Sequence, residues 1–246
     1  MDDLLELTSR VEADHFWFLG FRAFINPLIE DAVAGRGNLR LIDCGLGTGH
    51  NLQLLAGYGR AFGFDLTPGG LALARRAGRP LVQADIARIP FQSACCDLVT
   101  SFDVLQYVDD DAGAMREMAR LLRPGGTAII TAAALKVLRG GHAAEWPETR
   151  RYTRHGLREL AEGAGFRIER VSYLFGALFP MMLAVRIFRR RSTPGKGPGK
   201  DWEMSVPAAP VNATLTWLLR AEAAITRRVP FTPAGSSALL VAKKPQ

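Results

Sequence analysis

An α/β fold built on a mostly parallel sheet is predicted for this 246-residue chain by three observations. Short apolar runs alternate with helical patterns. Three of those runs end in an acid, at Asp43, Asp65 and Asp85. The first, Leu39 to Ile42, leads into glycines on alternate positions, Gly45, Gly47 and Gly49. A strand buried on both faces of a parallel sheet reads as a continuous apolar run. Glycine lets the chain turn sharply there and lets a ligand approach the backbone. Strand, glycine turn and helix together form the architecture of a nucleotide site.

The elements follow in order. Residues 1 to about 36 read as helices ahead of the first strand. A helical pattern starts near Asn51. The second strand, Ala61–Phe64, ends in Asp65, about 20 residues past the glycine turn, where an acid meets ribose hydroxyls in such sheets. Asp65 is also a candidate N-cap for the helix near Pro68, in competition with Thr67. Leu81–Ala84 is the third strand and Asp97–Phe102 the fourth. Arg123-Pro124-Gly125-Gly126 is a turn in which Gly125 or Gly126 supplies a positive φ, and Thr127–Thr131 is the fifth strand. Thr153 to Ala164 has Leu157, Leu160, Ala161 and Ala164 on one face, with Thr153 as N-cap and Gly165 as stop. Phe166–Val171 alternates as a strand. Val171 to Val185 carries no charge, is shorter than the ~20 residues of a membrane span, and contains Pro180. It reads as a buried or interfacial helix, by default a substrate-cavity wall. Ser192–Pro210 is rich in Gly, Pro and Lys and reads as a mobile loop. Val211–Arg228 is a helix and Ser237–Ala242 the last strand.

The glycine spacing selects the ligand. A dinucleotide fingerprint needs Gly-x-Gly-x-x-Gly, but its third glycine is His50 here, and Gly49 comes one residue early. Asp43 would repel a pyrophosphate and attract a cationic amino-acid moiety. The pattern Asp-x-Gly-x-Gly-x-Gly from Asp43 to Gly49 resembles motif I of the class I S-adenosylmethionine (SAM)-dependent methyltransferases. Four further segments resemble the same family: Asp85-Ile86, Ile89-Pro90-Phe91, Asp97 to Val108 and Arg123 to Gly126. Gln106 and Tyr107 stand where the family usually has Glu and His.

Outside that core, His15 to Phe18 with Arg22, Arg150 to Thr153, and Leu239 to Pro245 resemble a bacterial subgroup of type 11-like methyltransferases. The resemblance implies a Rossmann-like, seven-stranded sheet with its last strand antiparallel. It implies one domain: an N-terminal helical lid over 1–38, a SAM-binding core over 39–134, and substrate-side elements over 135–246. SAM is the implied cofactor, with S-adenosylhomocysteine as product. The implied cofactor set is Asp43, Gly45, Gly47, Gly49, Asp65, Leu66, Asp85, Ile86 and Asp103. Asp85 faces the adenine amino group and the next amide faces the ring. Phe16, Trp17 and Phe18 offer an aromatic face to a sulfonium, with Trp17 assigned to the cofactor, and Arg22 is a candidate for the methionine carboxylate.

Some acceptors need a base in addition to positioning. His142 lies ten residues before Tyr152, like the first His of the subgroup's segment, and these two are the catalytic candidates. The Asp next to that His is Ala143 here, and the second His is Thr149. His50 is expected to cap or touch the cofactor's carboxylate end, His15 to reach cofactor or substrate, and His155 to sit on a solvated helix turn.

Composition narrows the partners. Met1-Asp2-Asp3 has no apolar stretch of a secretory signal. Cys44, Cys95 and Cys96 are too few and badly spaced for a disulfide framework or zinc site, so a cytoplasmic setting and no metal are expected. The net charge is +7, much of it in Arg186, Arg189, Arg190, Arg191, Lys196 and Lys200. No aromatic-interleaved RNA motif accompanies it, which speaks against nucleic acid. Arginines beside an apolar stretch suit peripheral contact with an anionic membrane. The leading expectation is methyl transfer to O, N or C of a small molecule, partly hydrophobic. The alternatives are a non-catalytic SAM-binding or membrane-associated scaffold, an RNA methyltransferase and an NAD(P)-dependent oxidoreductase.

Overall fold

A computed structural model describes residues 2–138, 148–192, 205–229 and 232–246. Two helices come first, α1 (Asp2–Val11) and α2 (Phe16–Val33). The core then alternates β1 (Arg40–Cys44), α3 (His50–Leu55), β2 (Arg60–Asp65), α4 (Pro68–Ala74), β3 (Leu81–Gln83), β4 (Cys96–Phe102), α5 (Asp111–Leu121) and β5 (Leu122–Ala133). The rest is α6 (Arg154–Gly163), β6 (Arg167–Leu174), α7 (Phe179–Ser192), α8 (Ala209–Arg228) and β7 (Ser237–Lys243).

Among the described residues these strands form a seven-stranded sheet in the order β3-β2-β1-β4-β5-β7-β6. β7 alone runs against its neighbours, antiparallel to both β5 and β6. The mostly parallel sheet with an antiparallel last strand is therefore the one expected.

Strand residues alternate between two apolar layers because successive side chains point to opposite faces. Ile42, Val99, Ile130 and Leu240 pack with Met115, Met118 and Leu157 of α5 and α6. Leu41, Leu98, Ile129 and Leu239 pack with Phe21, Phe24 and Ile25 of α2 and Leu219 of α8. Residues packed on both faces explain the uninterrupted apolar runs of β1 and β4. Most of α2 is thus core, and only its start and α1 remain to cover a site.

Several boundaries move for local reasons. β5 begins at Leu122, five residues earlier than expected. The pairing steps from Cys96–Leu122 to Leu98–Thr127, so Arg123 to Gly126 bulge out of the ladder. Gly125 is the residue with positive φ (+75°), and the bulge leaves Pro124 free of any ladder duty. Thr153 caps α6 by accepting from Gly156 N–H at 3.1 Å, and Gly165 follows at φ +84°. The uncharged stretch 171–185 is not one helix. Pairing with β7 holds Val171 to Leu174 in β6. The chain then turns where Gly176 and Ala177 N–H donate to the Glu222 carboxylate at 2.7 and 3.0 Å. Helix α7 starts only at Phe179. No helix of the described residues is long and apolar enough to cross a membrane. The expected loop 192–210 lies largely outside the described residues.

Candidate functional site

A cavity of about 670 Å³ opens at the carboxyl ends of β1, β2 and β4, within the size range of small-molecule sites. Its floor is the glycine turn. Gly45 and Leu46 N–H donate to Phe64 O at 2.9 and 3.1 Å, tying the turn to β2. Gly49 has φ +83°, and a Cβ there would lie 2.7 Å from the Cα of Ala74. Gly47 has φ +52°, yet a Cβ on it would meet only Leu5 Cδ2 at 3.6 Å. Gly49 is closed by packing, whereas Gly47 borders open cavity, where a larger side chain would displace a ligand.

Asp65 organises the next wall. Its Oδ2 accepts from Gly47 N–H at 2.9 Å, and its Oδ1 accepts from Thr67 N–H at 2.8 Å and Thr67 Oγ1 at 2.7 Å. Thr67, not Asp65, caps α4, accepting from Gly70 N–H at 3.3 Å. One carboxylate thus joins the glycine turn to the start of α4 while bordering the cavity. Leu66 borders it too, although 62% exposed. Asp85 stands at the rim, its Oδ1 accepting from Ala87 N–H at 2.8 Å, beside buried Ile86. Asp103 takes a left-handed backbone conformation (φ +54°) that tips it into the cavity wall. Burial pushes its carboxyl up to about 6, opposed by hydrogen bonding from Thr131 and by the Arg151 charge.

Asp43 is placed differently from the expectation. It is 1% exposed, sits behind the turn and does not line the cavity. Its Oδ1 accepts from Thr100 Oγ1 at 2.7 Å and its Oδ2 has no partner. Burial pushes its pKa up to about 7; Thr100 lowers it in part and the Asp65 charge raises it further. Any influence of Asp43 on a ligand therefore acts through the turn.

The roof comes from the N-terminal helices. Trp17 borders the cavity and stacks on Phe175 with centroids 4.0 Å apart and planes 7° from parallel. Phe18 and Phe21 border it as well. Arg22 faces the cavity, but its guanidinium donates to Glu12 O at 2.7 Å and so also fastens the α1–α2 joint. Thr48 Oγ1 of the glycine turn donates to Glu12 Oε2 at 2.8 Å, which links roof to floor. Burial holds the Glu12 carboxyl above its ordinary pKa. Sequence reasoning missed Glu12 and Thr48, because a contact between residues 36 apart leaves no local pattern. It also left out Tyr107, which borders the cavity and whose phenol burial and the Glu148 and Asp103 charges push up to about 12.

Three histidine expectations are resolved. His15 is buried and caps α2, its Nδ1 accepting from Trp17 N–H at 3.2 Å, so it does not line the cavity. His50 begins α3 with Nδ1 3.9 Å from Glu12 Oε1, also off the wall. His155 is exposed and meets Glu159 at 3.1 Å, as expected of a solvated turn. His142 lies outside the described residues. Tyr152 requires a correction: it is buried, donates to Asp111 Oδ2 at 2.8 Å, contacts Leu105 O at 3.3 Å, and does not reach the cavity. Its place between α5 and the β5 exit is structural. Gln106 is structural as well, with Nε2 donating to Asp103 O at 2.8 Å and Oε1 accepting from Ala133 N–H at 3.2 Å. The described residues include no cluster suited to a metal ion.

A glycine turn, an acid at the end of β2 and a second acid after β3, on a sheet in this order, define a class. Residues 42–130 match the methyltransferase-domain family. Residues 42–130 are thus similar to that domain family, and the fold of the chain is that of the class I SAM-dependent methyltransferases. Among individual relatives, a demethylmenaquinone methyltransferase of Mycolicibacterium vanbaalenii is 33% identical over 130 residues, covering 52% of this chain and 53% of the relative. A malonyl-[acyl-carrier protein] O-methyltransferase of Serratia marcescens is 34% identical over 95 residues, 37% of either chain. The chain spans about half or less of the length of these two relatives. Among solved structures, the complex of the Haloferax volcanii Trm112 activator with a methyltransferase aligns with TM-score 0.61 and 22% identity, over 100% of this chain and 96% of that one. Haemonchus contortus phosphoethanolamine N-methyltransferase 2 with bound SAM aligns with TM-score 0.59 and 19% identity, over 90% and 52%.

Proposed function

We propose that this chain transfers a methyl group from SAM to a small-molecule acceptor by in-line displacement. The observation that carries the reading is the cavity itself, with a glycine turn for its floor, Asp65, Asp85 and Asp103 around it, and aromatic rings over it. SAM supplies an electrophilic methyl on a sulfonium, a leaving group that needs no activation. The chain's residues are assigned to holding it. Asp65 and Leu66 take the ribose, Asp85 and Ile86 the adenine, and Gly45 and Gly47 the methionine backbone, while Gly49 closes the turn against Ala74. Asp103 meets the amino group and Arg22 the carboxylate, while Trp17 covers the pocket. Asp43, behind the turn, supports its geometry.

Acids and aromatic faces suit a ligand bearing ammonium and sulfonium charges. They would disfavour a dinucleotide pyrophosphate. The roof is assigned to shielding the site from water, and the remaining contribution is alignment of the acceptor with the methyl carbon. Where the acceptor is a hydroxyl or amine, its proton must leave, and His142 is our candidate base. The aromatic wall favours an acceptor with an apolar part. The demethylmenaquinone and malonyl-carrier names of the relatives are compatible with such an acceptor and do not identify it.

The test is transfer of label from methyl-labelled SAM across a panel of phenols, quinols, carboxylates and amines. Label on one acceptor, reduced by His142→Ala with S-adenosylhomocysteine affinity kept, supports the reading. Binding without transfer to any acceptor would favour a SAM-binding scaffold instead.

A further inference from the structure

Charge and apolar exposure coincide in one part of the fold, the connection between β6 and β7. The described residues of that connection hold seven Arg against one acid, Glu222, a net charge of +6 out of +7 for the whole chain. No acid occurs between Glu169 and Asp201. Most surface helices turn a polar face outward, but α7 does the reverse. Pro180, Met181, Ala184, Ile187 and Phe188 are all exposed, and at helical spacing they fall within one arc of about 120°. Met181 is 51%, Ile187 42% and Phe188 70% exposed. Half-buried Met182, Leu183 and Val185 form the other side. The last turns of the helix carry Arg186, Arg189, Arg190 and Arg191. Helix α8 repeats the combination, with Trp217 at 69% and Ile225 at 63% exposure on the side that also exposes Arg220 and Arg228. The Glu222 carboxylate, bound to Gly176 and Ala177 N–H, ties the two halves together.

We propose that helices α7 and α8 dock this protein on an anionic phospholipid surface. The apolar arc enters the headgroup region while the arginines meet lipid phosphates, as amphipathic interfacial helices do. A nucleic acid would use the cations but leave Met181, Ile187, Phe188 and Ile225 in water. A second copy would set +6 against +6. The proposal does not depend on methyl transfer, since it concerns a surface outside the cavity wall.

The test is flotation of the full chain with vesicles of phosphatidylglycerol and phosphatidylcholine, and of phosphatidylcholine alone, at 50 mM and 500 mM salt. Binding is expected only to the anionic vesicles, and high salt should weaken it. Arg189→Gln/Arg190→Gln/Arg191→Gln should lower the partition coefficient on the order of 100-fold, about fivefold per arginine. Ile187→Ser/Phe188→Ser should lower it at least about tenfold. Both variants change positions on one helix, and an unchanged melting temperature certifies the fold. The proposal is overturned by absence of binding at low salt, by equal binding to both vesicle types, or by binding that the Ile187/Phe188 variant leaves intact. Tight, salt-sensitive RNA binding with no vesicle binding would overturn it in favour of a nucleic-acid surface.

Discussion

Replacing Asp65 with Asn isolates the carboxylate that holds the proposed cofactor site together. The shapes are the same, but an amide presents one acceptor and one donor where Asp65 presents two acceptors. The native oxygens are matched to three donors, Gly47 N–H on Oδ2 and Thr67 N–H and Oγ1 on Oδ1. The amide oxygen turns toward Thr67, where two donors converge. The amide nitrogen is then left facing Gly47 N–H, a donor against a donor. Hydrogen bonds to a charged group contribute about 1.5–3 kcal/mol, so the glycine turn is loosened by that amount. If ligand binding must restore the turn, S-adenosylhomocysteine affinity falls roughly 10- to 100-fold. Calorimetric titration gives the affinity, and a thermal melt shows how much of the loss reaches global stability. An affinity within threefold of the parent would refute the claim that Asp65 positions the turn for the ligand.

Two other expectations follow from buried groups. Asp43 has its pKa raised from 3.8 to about 7, so the folded state holds a proton that the unfolded chain releases. Its contribution is fully present below pH 4 and is lost as pH rises through about 7. Asp43→Asn should therefore flatten the fall in melting temperature between about pH 4 and 7; an unaltered slope would show that Asp43 is ionised in the fold. Tyr152→Phe should cost about 1–3 kcal/mol of stability by leaving Asp111 without its phenol donor, with S-adenosylhomocysteine affinity unchanged. Full stability combined with lost turnover would return Tyr152 to the catalytic set.

The parts of the structure legible in the sequence are those encoded locally. Apolar runs gave β1 and β4 because those strands are covered on both faces. Thr153 and Gly165 marked α6 because caps are side-chain chemistry within four residues. Gly45, Gly47 and Gly49 were legible because positive φ restricts residue choice. What stayed hidden depends on distant partners. The stretch 171–185 looked like one apolar segment until β7 claimed its first four residues and Glu222 fixed the turn. Tyr152 looked catalytic by position, yet Asp111 in α5 takes its hydroxyl. Asp43 looked like a ligand-facing acid, but the turn it precedes lies between it and the cavity. The contact of Glu12 with Thr48 exists only once α1 and α2 are folded over the sheet.

Calorimetric titration of the purified chain with S-adenosylhomocysteine, with NADH as control, decides whether this cavity takes SAM and its product. Micromolar binding of S-adenosylhomocysteine with no heat from NADH is the predicted result. A folded sample that binds NADH, or that leaves S-adenosylhomocysteine unbound, would show that the cavity is not a SAM site.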